Sequence, residues 1–139
     1  MIIADTGVFV ALFNKRDKYH ALARQALSNV SEPLITTYPV ITETCYLLAQ
    51  LANQTAERNF LTAITRSAAE VFHLQPIHLK RMIILMQKYE DLPMDLADTS
   101  LVVLAEQLGQ GRILTVDRKD FSVYRWKDTQ TFQNLLLAP

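Results

Sequence analysis

The chain is expected to fold as an α/β domain around a mainly parallel sheet. Three observations say so: short apolar runs alternate with stretches of helical periodicity, the order β then α recurs along the whole chain, and parallel neighbours need such crossover connections. At 139 residues, half of them apolar and a fifth charged, the chain suits one domain, residues 1–139, with a core that needs neither metal nor disulfide to fold.

Met1 to Ala4 is an apolar run that stops at Asp5, a buried strand, and Gly7 to Phe13 follows as a short helix. Asp17 is placed to cap a second helix carrying Tyr19, Leu22, Ala23, Ala26 and Leu27, ending near Asn29. Leu34 to Thr36 reads as a second strand. Pro39 then stands in the first turn of a helix running to about Ala52, where proline is tolerated. A helix over Thr55 to Ser67, a strand over Glu70 to Leu74 and a helix over Ile77 to Tyr89 continue the alternation. Leu92-Pro93-Met94 interrupts it. Asp95 restarts it as a helix cap, with Ala97, Leu101, Leu104, Ala105 and Leu108 on one face up to Gly109 and Gly111, and Ile113 to Val116 is a fourth strand.

Fourteen basic residues balance fourteen acidic ones, which excludes a polycation built to coat nucleic acid. The lone Cys45 forms no internal disulfide and reads as a small buried hydrophobe. An acid at position 5 and no apolar run of about 18 residues argue against a signal peptide and a membrane span, so the expected compartment is the cytoplasm.

Acids at the carboxyl ends of parallel strands lie where such sheets bind ligands. Asp5 and Asp117 each directly follow a strand, and each is also an ordinary turn-former or helix cap. Glu43 shares a helix face with Val40, Leu47 and Leu51, so an acid falls on the core side, where it must be paired with an arginine, protonated or bound to a metal. Asp98 shares the face of Leu101 and Ala105, three residues after its cap Asp95. Two carboxylates about 5 Å apart repel by about 3 kcal/mol at an effective dielectric of 20, so a cluster of four calls for protons or a cation. Oxygen-only ligands favour Mg²⁺ or Mn²⁺. Cys45, His20, His73 and His78 have no zinc-ligand spacing.

These segments resemble the PIN-domain ribonucleases, specifically the VapC-type toxins of toxin–antitoxin pairs. The resemblance rests on Ile3-Ala4-Asp5-Thr6-Gly7-Val8, Thr42-Glu43 in the Pro39 helix, Leu96-Ala97-Asp98-Thr99-Ser100-Leu101 and Leu114-Thr115-Val116-Asp117-Arg118-Lys119-Asp120-Phe121, in that order and spacing. It implies a PIN-like (Rossmann-like) three-layer domain with a four- or five-stranded sheet flanked by helices. It also implies a metal site carried onto Asp5, Glu43, Asp98 and Asp117. The fourth acid is Asp117, beside the strand, or Asp120, otherwise an outer ligand or loop anchor. Asp95 is a spare acid, and Thr6 and Thr115 are candidates to orient carboxylates or water.

The activity so implied is Mg²⁺- or Mn²⁺-dependent cleavage of single-stranded or structured RNA to 3′-hydroxyl and 5′-phosphate ends, with a cognate antitoxin and a homodimer as partners. Without the four site acids the chain carries fourteen basic against ten acidic residues. Arg118 and Lys119, with Arg112, Arg125 and Lys127 nearby in sequence, are candidate phosphate contacts. Trp126, Tyr124 and Phe121 suit core packing better than base stacking, the Leu135-Leu136-Leu137 end is expected to pack on the domain, and the Tyr46, Leu47, Leu48 and Leu51 face suits a dimer or antitoxin groove. Rivals are a phosphoacceptor enzyme, against which Gly7 stands where a second acid is needed, a non-catalytic PIN-like RNA- or protein-binding module, and a housekeeping RNA-processing nuclease.

Overall fold

The computed structural model describes residues 1–136. Its centre is a five-stranded, all-parallel sheet in the order β3-β2-β1-β4-β7, flanked by helices. The strands are β1 (Ile2–Ala4), β2 (Leu34–Thr37), β3 (Glu70–Phe72), β4 (Arg112–Leu114) and β7 (Gln133–Asn134), and a two-stranded antiparallel hairpin, β5 (Arg125–Trp126) with β6 (Gln130–Thr131), precedes β7. The helices are α1 (Thr6–Phe13), α2 (His20–Ser28), α3 (Tyr38–Leu51), α4 (Gln54–Thr65), α5 (Pro76–Lys88), α6 (Leu96–Leu108) and α7 (Arg118–Val123). The expected α/β class and every expected strand and helix are present.

Each boundary has a local cause. The Asp5 carboxylate caps α1 by accepting from Thr6 N at 2.7 Å. Pro39 opens α3, where its missing N–H costs nothing. Asp95 caps α6, accepting from Asp98 N at 2.8 Å, and Gly109 ends that helix in the left-handed conformation at φ 70°. α2 corrects the expectation for Asp17: the N-cap is Tyr19, and the Asp17 carboxylate instead accepts from Tyr19 N at 2.8 Å in the preceding turn. The helix therefore starts at His20.

Ile2, Ile3 and Ala4 of β1, Ile113 and Leu114 of β4, and α6 along nearly its whole length form the core. Buried hydroxyls lock the layers together. Thr37 Oγ1 and Ser100 Oγ lie 2.6 Å apart, joining β2 to α6, and Thr36 Oγ1 donates to Ala4 O at 2.9 Å. Leu136 is buried and Leu135 half-buried, as expected of an apolar end, while Leu137 falls outside the described residues.

The chain runs from β1 outward through β2 to β3, then returns to the other side of β1 for β4 and β7. The connections leaving β1 and β4 thus diverge, which makes the carboxyl ends of these two strands the switch point at whose crevice open α/β sheets take their ligands.

Candidate active site

Parallel pairing of Ile3 with Ile113 and Ala4 with Leu114 carries Asp5 and Thr115 side by side out of the sheet. Asp5 N donates to Leu114 O at 3.1 Å, so the pairing runs to the edge of the crevice. The Asp5 carboxylate is buried and doubly held: Oδ1 accepts from Thr6 N, and Oδ2 accepts from Thr115 Oγ1 at 2.7 Å. Thr115 Oγ1 in turn accepts from Asp117 N at 2.9 Å. Asp117 is half-buried and caps α7 through Asp120 N at 3.0 Å. At both strand ends the candidate site acid is thus also the helix cap, and a carboxylate that satisfies one helix amide keeps further lone pairs.

α3 brings Glu43 and α6 brings Asp98 to the same edge, both half-buried. Val40 and Leu48 of α3 are fully buried, but Leu51 is 61% exposed, so the stripe proposed for Glu43 tilts out of the core and leaves that carboxyl at the crevice rim. Asp98 points toward Tyr124, whose hydroxyl lies 3.5 Å from Asp98 Oδ2 and from Pro93 O.

The charges press on one another. Burial, with help from Asp95, Asp5 and Asp117, pushes the Asp98 carboxyl up to about 8. Burial pushes Asp5 up to about 6, against the lowering effect of its hydrogen bonds to Thr115 and Thr6, with Glu43 and Asp117 adding to the rise. Glu43 is raised by burial and Asp95, and Asp117 by burial, Asp120 and Asp95. Burial and the surrounding acids also raise the Tyr124 phenol, which stays a neutral donor. Among the described residues none of these acids has a Lys or Arg ion pair, so the arginine partner considered for Glu43 is absent.

Three features bear on a metal. The donors are all carboxylate and hydroxyl oxygens, matching a hard divalent cation. Burial and mutual repulsion raise the pKa values of Asp5 and Asp98, and among the described residues no Lys or Arg pairs with either. Thr6 Oγ1 is buried and faces the Glu43 carboxyl, and among the described residues it has no partner at full hydrogen-bond geometry. In kind the donors suit a hard divalent cation, but among the described residues no three acid, His or Cys side chains stand close enough together to hold one as they are placed.

Of the other sequence candidates, Asp95 is an exposed cap whose charge acts on Asp98, Glu43 and Asp117, and Asp120 stands beside Asp117. Arg118 and Lys119 are exposed at the start of α7, on the rim. Two of the three remaining basic candidates are engaged elsewhere. Arg112 pairs with Glu32, and Arg125 donates to the carbonyls of Ser122, Val123 and Tyr124 at the end of α7. Phe121 and Tyr124 are buried, and Trp126 Nε1 donates to Thr131 O at 3.1 Å, so these aromatics pack as expected. Tyr124 as a neighbour of Asp98 escaped the sequence reading, since only the α7 turn brings the two together.

Residues 2–127 match the family model described as PIN domain. The chain is 28% identical over 124 residues to ribonuclease VapC26 of Mycobacterium tuberculosis (strain ATCC 25618 / H37Rv), covering 89% of this chain and 92% of that protein. Its fold is similar to the crystal structure of Mycobacterium tuberculosis VapC20, a sarcin-ricin loop cleaving toxin, with a TM-score of 0.79 at 19% identity over 86% of this chain and 92% of the other. With a match spanning nearly its whole length, and the crevice acids on the segments first singled out, the chain belongs to the PIN domain family.

Proposed function

We propose that the protein is a divalent-metal-dependent endoribonuclease that cuts RNA in single-stranded regions and serves as the toxin of a type II toxin–antitoxin pair. The observation that carries this reading is the meeting of Asp5, Glu43, Asp98 and Asp117, from four separate elements, at the β1/β4 crevice without a basic partner. The likeness to a protein named as a ribonuclease and to one described as a sarcin-ricin loop cleaving toxin supports it.

In this reading Asp5, Asp98 and Asp117 hold Mg²⁺ or Mn²⁺, and Glu43 completes the set or orients the attacking water, with the Thr6 hydroxyl beside it. Asp120 is the alternative fourth acid. When bound, the ion supplies charge relief at the phosphate and a water acidic enough to attack near neutral pH. The two hydrogen bonds on Asp5 fix its carboxylate plane before any ligand arrives. Asp5 and Asp98 must shed their protons to take up their role. Tyr124, kept neutral, offers its hydroxyl toward Asp98 Oδ2 and so leaves Oδ1 for the ligand. Arg118 and Lys119 on the rim meet the flanking phosphates. A hollow of about 620 Å³ beside Glu43 and Asp95, walled by Tyr38, Tyr46 and Leu96, gives the strand room to approach.

The antitoxin, the homodimer and the cytoplasm belong to the same proposal. Tyr38, Tyr46 and Leu51 of α3 and Ile77, Ile83 and Ile84 of α5 are each more than half exposed, apolar side chains on two helices that support protein partners. Among the described residues no helix is long and apolar enough to cross a membrane.

The test is cleavage of end-labelled RNA pools by the wild type and Asp98→Asn in Mg²⁺, Mn²⁺ or EDTA. Cleavage that needs metal and vanishes in the variant is expected. Metal-free RNA binding with no cleavage would replace the enzyme with a binding module.

A further inference from the structure

The backbone pairing of β4 with β7 sets Ile113 against Asn134, and Leu135 N donates to Ile113 O at 2.8 Å. At Thr115, two residues further along, a continuing strand would offer the next backbone partner. The Asn134 carboxamide takes that place. Its Nδ2 donates to Thr115 O at 2.9 Å, and its Oδ1 accepts from Thr115 N at 3.3 Å and from Leu136 N at 3.1 Å. Only one orientation of the amide satisfies all three bonds, because two N–H groups face the oxygen and a carbonyl faces the nitrogen.

Thr115 is completely buried, and its hydroxyl joins the two strand-end acids, donating to Asp5 Oδ2 and accepting from Asp117 N. Asn134 has no hydrogen bond to any of the four acids among the described residues, and it lies beyond residues 2–127 that match the family model. The route runs from the Asn134 side chain to both peptides of Thr115, and from the Thr115 hydroxyl to Asp5 and Asp117.

We infer that Asn134 is a positioning residue of the acid cluster: by clamping the Thr115 backbone it fixes where Asp5 and Asp117 stand relative to each other, and hence how tightly the site holds a divalent cation. This rests on the metal-dependent reading above. Groups that orient ligands from outside typically change metal affinity by roughly 10–100-fold when removed, and an indirect route places Asn134 at the lower end.

The experiment compares Asn134→Ala, Thr115→Val, the double variant and a control, Gln133→Ala, whose exposed side chain shares β7. It reads Mn²⁺ affinity by electron paramagnetic resonance, Thr115 amide hydrogen exchange, and RNA cleavage. Asn134→Ala is expected to speed Thr115 exchange, weaken Mn²⁺ binding roughly tenfold and lower kcat. The double variant is expected to bind Mn²⁺ no more weakly than Thr115→Val alone, since both changes break one route. Gln133→Ala should match the wild type.

If the alanine variant fails to fold, Asn134→Asp keeps the acceptor and loses the donor, with the same direction expected. Unchanged Mn²⁺ affinity in folded Asn134→Ala, or losses that add to those of Thr115→Val, would overturn the inference alone. A wild type that binds no Mn²⁺ would overturn the metal-site reading first, and the inference with it.

Discussion

Gly7 and Val116 meet across the crevice so closely that a β-carbon on Gly7 would stand 2.1 Å from Val116 Cγ2 and 3.4 Å from its Cβ. The contact joins the first turn of α1, just after Asp5, to the loop between Thr115 and Asp117. Two effects oppose each other in Gly7→Ala. Helix propensity favours alanine by about 1 kcal/mol, whereas overpacking costs about 1–3 kcal/mol, and a β-branched valine has little freedom to turn aside. The clash wins. Gly7→Ala is expected to lower the urea midpoint and weaken Mn²⁺ binding, and adding Val116→Ala should recover much of both. A variant as stable as the wild type would show that the loop yields without cost.

The raised acids set the pH dependence of the metal-free protein. Asp98 at about 8 and Asp5 at about 6 hold protons in the folded state that the unfolded chain has released above about 4. The native state binds more protons across that window, so stability falls as pH rises from about 4 and levels off above about 8. Glu32, held down to about 2 by Arg112 and the chain amine, works in the opposite sense and below this window. Urea midpoints in EDTA should therefore decline from pH 5 to pH 8.5, and Asp98→Asn should flatten the decline and be the more stable protein at pH 8. A flat wild-type profile would mean that Asp98 ionises freely in the fold.

Metal binding should show the reverse trend. Asp5 and Asp98 must lose protons to act as ligands, so Mn²⁺ affinity is expected to rise between pH 6 and 8, with protons released on binding. Calorimetry in buffers of different ionisation enthalpy measures that release. Binding that releases no protons would remove Asp98 from the ligand set.

Tyr124 separates packing from polarity. Its ring is buried edge-on against Tyr89 at 5.1 Å and Phe121 at 5.2 Å, and its hydroxyl faces Asp98 at a long 3.5 Å. Tyr124→Phe should cost less than about 1 kcal/mol by urea denaturation, as befits one weak hydrogen bond, whereas Tyr124→Ala should cost about 3–5 kcal/mol. Equal losses in the two would assign the stability to the hydroxyl.

Arg118 and Lys119 test the rim. Replacing both with alanine is expected to raise KM, spare kcat, and reduce the salt slope of RNA binding by about 1–2. An unchanged slope would place the strand elsewhere.

Periodicity alone located each core helix and β1 to β4, since those elements are long or apolar enough to print 3.6-residue or continuous apolar patterns. The hairpin β5/β6, the short helix α7 and the edge strand β7 left no such pattern. Two-residue strands owe their existence to the neighbours that pair with them: β7 exists because β4 is there.

The same division runs through the site. The sequence by itself determined which acids were candidates, because a carboxylate on the inner side of a helix needs a partner wherever the chain folds, and one after a buried strand lies where parallel sheets take ligands. Only the tertiary structure decided that Asp5, Glu43, Asp98 and Asp117 come near enough to raise one another's pKa values and, among the described residues, pair with no arginine. It also decided that Tyr124 and Asn134, unremarkable in the chain, stand behind them. Contacts such as Thr115 to Asp5, 110 residues apart, come from strand order, which no local pattern encodes.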